Sequence, residues 1–131
     1  RGNPGAGGWG VLLIVDGEEI TLFGGEKNTT NNRMELKAAI KALEYFDNEV
    51  SLSISTDSNY VKDGITKWLL NWKKNNWVTA SRKPVKNRDL WEQLDTLNSL
   101  NNVSWQWVKG HAGHRENEIA DMLVNKGIEE L

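Results

Sequence analysis

Residues 50–57 read Val-Ser-Leu-Ser-Ile-Ser-Thr-Asp, a run in which apolar residues alternate with serine until an aspartate ends it. Successive side chains of a β-strand point to opposite faces, so this period of two predicts a strand with one apolar face. A second alternating run, residues 103–107, follows after segments with helical patterns. Because strands joined through helices require crossover connections, we expect these two strands to be parallel neighbours with helices covering their sheet. Asp57 therefore falls at the carboxyl end of a strand, where the sites of such sheets lie.

The rest of the chain alternates between strand and helix patterns. Residues 9–15 and 20–23 are rich in β-forming side chains and flank Asp16-Gly17, a strong type I′ turn signal, so they predict a hairpin. Apolar residues spaced by three and four predict the helices. These lie over residues 33–46 (Leu36, Ala39, Ile40, Leu43), over 60–65 and 66–72 with a break near Gly64, around Leu90, Leu94 and Leu97, and around Ile119, Ala120, Leu123 and Val124. The expected order is β-β-α-β-α-α-α-β-α.

Length and composition limit the class of protein. A chain of 131 residues, with 38% hydrophobic and 26% charged residues, has room for one compact domain, residues 1–131. It contains no cysteine, which excludes a disulfide framework, a thiolate zinc site and a cysteine nucleophile, and suits the reducing cytoplasm. No run of about 18 apolar residues occurs, so we expect neither a membrane span nor a signal peptide.

Charge is segregated along the sequence. Residues 62–88 contain eight Lys or Arg and one Asp, a balance of +7, so the remainder carries -9 to give the net charge of -2. Segregation of this kind predicts a basic surface for a polyanion and an acidic surface elsewhere that is able to hold cations.

Three carboxylates are candidates for chemistry, each with an alternative interpretation. Asp57 has no packing purpose at the end of an apolar and serine strand, whereas Glu35 also fits a capping box with Asn32. Asp121 fits either a solvated helix face or a site. Clustered carboxylates are what hard divalent cations require when two of them, about 4 Å apart, assist phosphoryl transfer. Spacing in sequence does not bring these three together, so their convergence depends on the fold.

Histidine occurs only as His111 and His114, within Gly110-His111-Ala112-Gly113-His114. An imidazole in a glycine-flanked loop can transfer a proton near neutral pH, although two ordinary surface histidines fit the same pattern. A zinc pair is disfavoured because no cysteine or third histidine completes a site.

Tryptophans and lysines are mixed in one segment, which contains Trp68, Trp72, Trp77, Lys67, Lys73 and Lys74. Tryptophan at helical spacing is usually core, and Trp72 fits that interpretation. Lysines interleaved with indoles also describe a nucleic-acid surface, with ammonium groups for phosphates and flat rings for sugars or bases. The charge of residues 62–88 favours the second interpretation.

Six motifs in one order resemble the bacterial type 1 ribonuclease H family, from Gly2 to about Leu131. They are Gly2-Asn3-Pro4-Gly5, Thr29-Thr30-Asn31-Asn32-Arg33-Met34-Glu35-Leu36, Ser55-Thr56-Asp57-Ser58, Asn71-Trp72-Lys73-Lys74, Lys83-Pro84-Val85-Lys86-Asn87 and Trp107-Val108-Lys109-Gly110-His111-Ala112-Gly113-His114. The resemblance implies an α/β fold, a ribonuclease H-like mixed five-stranded sheet flanked by helices. It also implies endonucleolytic hydrolysis of the RNA strand of RNA/DNA hybrids by a two-metal mechanism, leaving 5′-phosphate and 3′-hydroxyl ends.

The resemblance also assigns roles to residues. Glu35, Asp57 and Asp121 match the family's metal ligands, for Mg²⁺ or Mn²⁺, and His111 matches its mobile proton carrier or product-release residue. Asn3, Asn31, Asn32 and Asn59 match positions that contact the hybrid, including the 2′-hydroxyl that distinguishes RNA from DNA. Thr30 and Trp68 match the DNA-strand side, and the stretch with Trp72, Lys73, Lys74 and Trp77 resembles the family's basic protrusion. A cytoplasmic monomer that binds no membrane is expected.

One departure from the family pattern concerns its first, central strand. In the family an Asp-Gly-Ser-type strand precedes Gly-Asn-Pro-Gly and supplies the first catalytic aspartate, whereas here Arg1 stands directly before that motif. Asp16 cannot substitute, because it lies in the predicted hairpin turn. We therefore expect an N-terminally incomplete domain, with a gap between the strands of residues 9–15 and 50–56. Two further hypotheses stay open: a non-catalytic hybrid-binding module with this fold, and an inactive fragment.

Overall fold

A computed structural model describes residues 5–15, 18–46, 51–56, 58–107 and 115–131. Its strands and helices are β1 Gly5–Val15, β2 Glu18–Thr29, α1 Asn31–Glu44, β3 Ser51–Thr56, α2 Asn59–Asp63, α3 Leu69–Lys74, α4 Arg88–Leu100, β4 Asn102–Trp107 and α5 Arg115–Glu129. A π-helical segment, Gly64–Trp68, joins α2 to α3. The predicted order of strands and helices is confirmed. The Asp16-Gly17 turn lies outside the described residues.

The strands form two separate pairs in the described part of the chain. β1 and β2 are antiparallel, with Gly10 opposite Phe23 and an irregularity between Gly5 and Gly7. β3 and β4 are parallel and pair from Ser51 opposite Asn102 to Thr56 opposite Trp107. Both the hairpin and the parallel pair predicted from the alternating runs are therefore confirmed. Each pair leaves two outer edges, and no ladder joins β1 to β3 among these residues.

The core lies where α1 packs against α4 and the helical run after β3. The four apolar residues that predicted α1 are all buried, namely Leu36, Ala39, Ile40 and Leu43. They contact Val61, Leu69, Val85, Leu90, Trp91 and Leu94, and Ile54, Val103 and Trp105 pack against the same cluster. Burial of these side chains is the main favourable term that holds the parallel pair and the helices together.

Helix α5 lies on the hairpin through close backbone contacts. A Cβ placed on Gly127 would lie 2.2 Å from the Gly24 carbonyl oxygen, and one on Gly8 would lie 2.3 Å from the Val124 carbonyl oxygen. Glycine at these positions therefore sets how closely α5, which carries Asp121, approaches β1 and β2. Among the described helices, none is both long enough and apolar enough to span a membrane.

The start of α1 differs from the prediction. Thr30, in an extended conformation, is the capping residue, and its Oγ1 accepts a hydrogen bond of 3.2 Å from the Arg33 backbone N–H. Asn32 is already inside the first turn, so the predicted capping box of Asn32 and Glu35 is wrong. A threonine hydroxyl satisfies one of the free N–H groups of the first turn, which leaves the Glu35 side chain available for contacts outside its own helix.

The two helices predicted on either side of Gly64 are present as α2 and α3, but the chain between them is π-helical and the helical run is not broken. Gly64 has helical dihedral angles, φ -61° and ψ -48°, and the chain stays helical from α2 through the π segment into α3. Glycine weakens a helix, but here its missing side chain lets the backbone pack against the fully buried Trp91 ring. This packing outweighs the helix-breaking tendency.

We expect Gly64→Ala to destabilise the fold by about 1–3 kcal/mol, because an added methyl group overpacks a filled core. A Cβ at this position would lie 1.9 Å from Cη2 of Trp91. Urea unfolding of the complete natural protein measures the change. Thr66→Ala, on the exposed side of the same segment, serves as the control and should shift stability by no more than about 0.5 kcal/mol. Stabilisation by Gly64→Ala, the usual result in an unobstructed helix, would contradict this packing.

Candidate functional site

Glu35 is held by side chains from two helices. Its Oε1 accepts a hydrogen bond of 2.6 Å from Ser58 Oγ, and its Oε2 accepts one of 3.4 Å from Asn31 Nδ2. Ser58 is buried and also caps α2, since its Oγ accepts from the Val61 N–H at 3.1 Å. One hydroxyl thus ties the carboxylate of α1 to the first turn of α2, directly after position 57. A charge-assisted bond of this length orients the carboxylate.

The other candidate ligands are only partly described. Asp121 lies on an exposed face of α5, whereas Asp57 and His111 lie outside the described residues. Within the described ranges, no three His, Cys, Asp or Glu side chains form a group able to hold a metal ion. Glu35 and Asp121 offer carboxylate oxygens, the donors that Mg²⁺ and Mn²⁺ prefer, so the donor chemistry of these two residues fits such an ion.

The candidate hybrid contacts lie at the starts of two helices. Asn31 and Asn32 are exposed in the first turn of α1, and Asn59 is exposed at the first position of α2. Thr30 is half-buried and caps α1. The bond between Ser58 and Glu35 joins these two helix starts. Asn3 lies outside the described residues.

The tryptophans of the basic segment contact one another with their rings tilted by 36° in each pair. Ring centroids are 5.6 Å apart for Trp68 and Trp72, and 6.2 Å apart for Trp72 and Trp77. Trp72 and Trp77 pack against the core, so the core interpretation of Trp72 holds, although the ring is only half-buried. Lys73 and Lys74 are exposed at the end of α3. The three indoles thus form a connected aromatic cluster in the same segment as the exposed Lys73 and Lys74.

A polar network that sequence reasoning missed links three helix starts. Arg33 Nη1 and Nη2 donate to Asp89 Oδ1 at 3.1 Å and Oδ2 at 2.8 Å, and Nη1 also donates to Asn87 Oδ1 at 3.1 Å. Asn87 Nδ2 donates to the Tyr60 hydroxyl at 3.1 Å, and Trp91 Nε1 donates to the same oxygen at 3.0 Å. Arg33 and Asn87 belong to separate sequence motifs, at residues 29–36 and 83–87, and nothing in the sequence pairs them.

The charges of this network support each other. The hydrogen bond from Arg33 holds the pKa of Asp89 below its ordinary value, opposed by desolvation and aided by the Leu90 backbone N–H. The same hydrogen bond raises the pKa of Arg33. A carboxyl whose pKa is lowered on folding contributes stability above its unfolded pKa and loses it as the pH falls through the folded value. The pair is thus fully charged at neutral pH.

Comparisons with known proteins agree along the whole chain. A family model described as RNase H matches residues 1–129. The ribonuclease H of Alkalilimnicola ehrlichii is 59% identical over 131 residues, which cover 100% of this chain and 90% of that protein. The ribonuclease H of Halorhodospira halophila is 60% identical over 131 residues, which cover 100% of this chain and 88% of that protein. Among solved structures, LC9-RNase H1, a type 1 RNase H with the type 2 active-site motif, matches with a TM-score of 0.76 and 25% identity over 99% of this chain and 74% of that chain.

Proposed function

The chain belongs to the ribonuclease H family, and we propose that it hydrolyses the RNA strand of RNA/DNA hybrids endonucleolytically, leaving 5′-phosphate and 3′-hydroxyl ends. The observation that carries this proposal is the similarity to proteins named ribonuclease H across the entire chain. The orientation of Glu35 by Ser58, beside the exposed asparagines of α1 and α2, supports it.

We further propose that Glu35, Asp57 and Asp121 hold divalent ions, Mg²⁺ or Mn²⁺, in a two-metal arrangement. The chemistry such ions supply is neutralisation of charge at the scissile phosphate and activation of water. Ser58 and Asn31 then serve to orient the Glu35 carboxylate. His111 acts as a proton carrier or in product release. Proton transfer by a side chain contributes about 10² to 10⁴-fold to the rate in enzymes that use it.

Substrate binding is divided between two surfaces in this proposal. Asn3, Asn31, Asn32 and Asn59 face the hybrid, including the 2′-hydroxyls of its RNA strand, and Thr30 and Trp68 face the DNA strand. The basic segment with Trp72, Lys73, Lys74 and Trp77 neutralises phosphates. A cytoplasmic location and a monomeric state belong to the same proposal, in keeping with a sequence that has no cysteine.

The test is cleavage of a labelled RNA/DNA hybrid by the complete natural protein, with duplex DNA and duplex RNA of the same sequence as controls. We expect cleavage of the RNA strand only, in the hybrid only, with Mg²⁺ present and not with a chelator. Hybrid binding without cleavage under all metal conditions would instead support the non-catalytic binding module. Equal cleavage of duplex RNA would contradict the proposed substrate.

We expect Lys73→Ala combined with Lys74→Ala to weaken hybrid binding and to flatten its salt dependence, because fewer counterions are released. Each lost phosphate contact lowers the slope of log affinity against log salt by about 0.7–0.9. Binding titrations at several salt concentrations measure this, and turnover at saturating substrate should change little. Lys27→Ala combined with Lys41→Ala removes the same charge from β2 and α1 and should leave the slope unchanged. An unchanged slope in the first variant would mean that Lys73 and Lys74 only solvate the surface.

A further inference from the structure

We propose that Arg33 and Asp89 are positioning residues for substrate binding, because their ion pair sets the relative placement of the helix starts that carry the proposed hybrid contacts. The inference rests on the proposed function, since the bound substrate is taken to be an RNA/DNA hybrid. Neither residue is assigned to contact the nucleic acid itself.

The side chains of Arg33, Asp89 and Asn87 join α1 to the start of α4, and this set of bonds is called the clamp. Arg33 is in the first turn of α1, and it reaches residues 54 and 56 positions later in the chain. Its planar guanidinium donates two bonds to Asp89 and a third to Asn87. A rigid fork fixes both distance and angle between its partners, which a single ammonium group cannot do.

Asn87 extends the clamp to α2. It has a left-handed backbone, with φ 62°, directly before α4. Its side-chain oxygen accepts from Arg33, while its side-chain nitrogen donates to the hydroxyl of Tyr60 in α2. The same hydroxyl accepts from Trp91, which is fully buried, so the far end of the network is anchored in the core.

Two of the helices that this clamp joins, α1 and α2, carry proposed hybrid contacts. Asn31 and Asn32 immediately precede Arg33 on α1, and Asn59 immediately precedes Tyr60 on α2. Contacts on two separate helices bind one rigid duplex well only if their spacing matches the duplex, so loss of the clamp weakens binding by misplacing these contacts.

Stability and substrate affinity should respond differently to loss of the pair. The side chains of Arg33 and Asp89 are 31% and 66% exposed, and ion pairs in contact with solvent contribute little to folding. A merely structural role would therefore show as a small shift in unfolding temperature, with the KM of the folded protein unchanged. A positioning role shows in KM for the hybrid.

Simple electrostatics and a positioning role predict opposite effects of removing the Asp89 charge on hybrid affinity. Simple electrostatics predicts that Asp89→Asn strengthens binding of a polyanion, because a negative charge is removed near the basic segment. The clamp predicts the opposite. It also predicts that Arg33→Gln raises KM without lowering the salt slope, whereas a direct phosphate contact would lower the slope by about 0.7–0.9.

The experiment measures KM, kcat, salt dependence of binding and thermal unfolding for Asp89→Asn, Arg33→Gln and Asp89→Glu in the complete natural protein. We expect KM to rise about fivefold for the first two variants, with kcat within about twofold and the salt slope unchanged. Asp89→Glu keeps a carboxylate for the guanidinium and should restore most of the affinity. Glu92→Gln is the matched control: it lies on the same face region of α4, pairs with Arg88 and is outside the network, so it should bind the hybrid as tightly as the wild type or more tightly.

Tighter or unchanged binding by Asp89→Asn would overturn the inference, as would a reduced salt slope in Arg33→Gln. Failure of Asp89→Glu to recover affinity would also count against it. If the wild-type protein binds no hybrid at all, the proposed function fails. Because the wild type is measured alongside each variant, this outcome is distinguished from failure of the positioning role alone.

Discussion

Replacing Asp57 with asparagine is expected to lower the rate of hybrid cleavage at least about a hundredfold, because the change exchanges a charged metal ligand for a neutral amide. Asp57 itself lies outside the described residues, so the expectation rests on its place in the sequence. It follows Thr56, the last residue of β3, and precedes Ser58, whose hydroxyl binds Glu35. Single-turnover cleavage at saturating hybrid and Mg²⁺ measures the rate in the complete natural protein.

Two comparisons make the Asp57 result specific. Asp63→Asn removes the same charge from an exposed pair with Lys67 in the helical run after β3, and it should keep the rate within about twofold. Calorimetric titration with Mg²⁺ should show weaker binding to Asp57→Asn and unchanged binding to Asp63→Asn. Cleavage by Asp57→Asn at close to the wild-type rate would refute the assignment of Asp57 as a ligand.

The second large effect concerns the two separate strand pairs. Expressed as residues 1–131, the polypeptide is expected to be unstable or prone to aggregation, and a separate peptide with the family's aspartate-containing strand is expected to restore folding and cleavage together. Unpaired strand edges expose backbone N–H and C=O groups that can form hydrogen bonds with a strand of another molecule, which leads to aggregation. A peptide that pairs with β1 and β3 would satisfy these groups and supply the further carboxylate in one step, as in strand-addition complexes.

Thermal unfolding and hybrid cleavage, each with and without peptide, measure this rescue. A scrambled peptide should restore neither property, and a peptide with Asn in place of its aspartate should restore folding without cleavage. This second control separates the structural contribution of the strand from its chemical one. A cooperative transition at about 45–65 °C with full cleavage by the polypeptide alone would show that the strand is dispensable.

Local sequence patterns predicted most of the elements correctly. The alternation in residues 50–57 predicted β3, and the spacing of Leu36, Ala39, Ile40 and Leu43 predicted α1 and its buried face. Such patterns depend on which side of an element faces the core, and that information is repeated along the element itself. The prediction was wrong at the cap of α1, and it did not include the π-helical segment that joins α2 to α3 from Gly64 onward. At the cap of α1, threonine and asparagine differ only slightly in capping strength. At Gly64, the deciding contact comes from Trp91, which is distant in sequence.

For the candidate site as well, the sequence suggested individual residues but not the long-range contacts between them. Sequence motifs made Glu35, the asparagines and the basic segment candidates for the site, because residue type and order carry a family resemblance. They did not indicate that Ser58 binds Glu35, or that Arg33 joins Asp89 and Asn87. Those bonds span 23, 56 and 54 positions respectively, and no periodicity encodes a contact of that range.

By itself, the sequence determined the order of strands and helices, the parallel pairing of β3 with β4, the buried face of α1 and the family to which the chain is similar. Only the tertiary structure decided that Thr30 rather than Asn32 caps α1, that the chain stays helical through Gly64 against Trp91, and which side chains orient Glu35. The physical reason is that secondary structure follows from side chains a few positions apart, whereas capping, close packing and ion pairing depend on which surfaces the folded core brings within bonding distance.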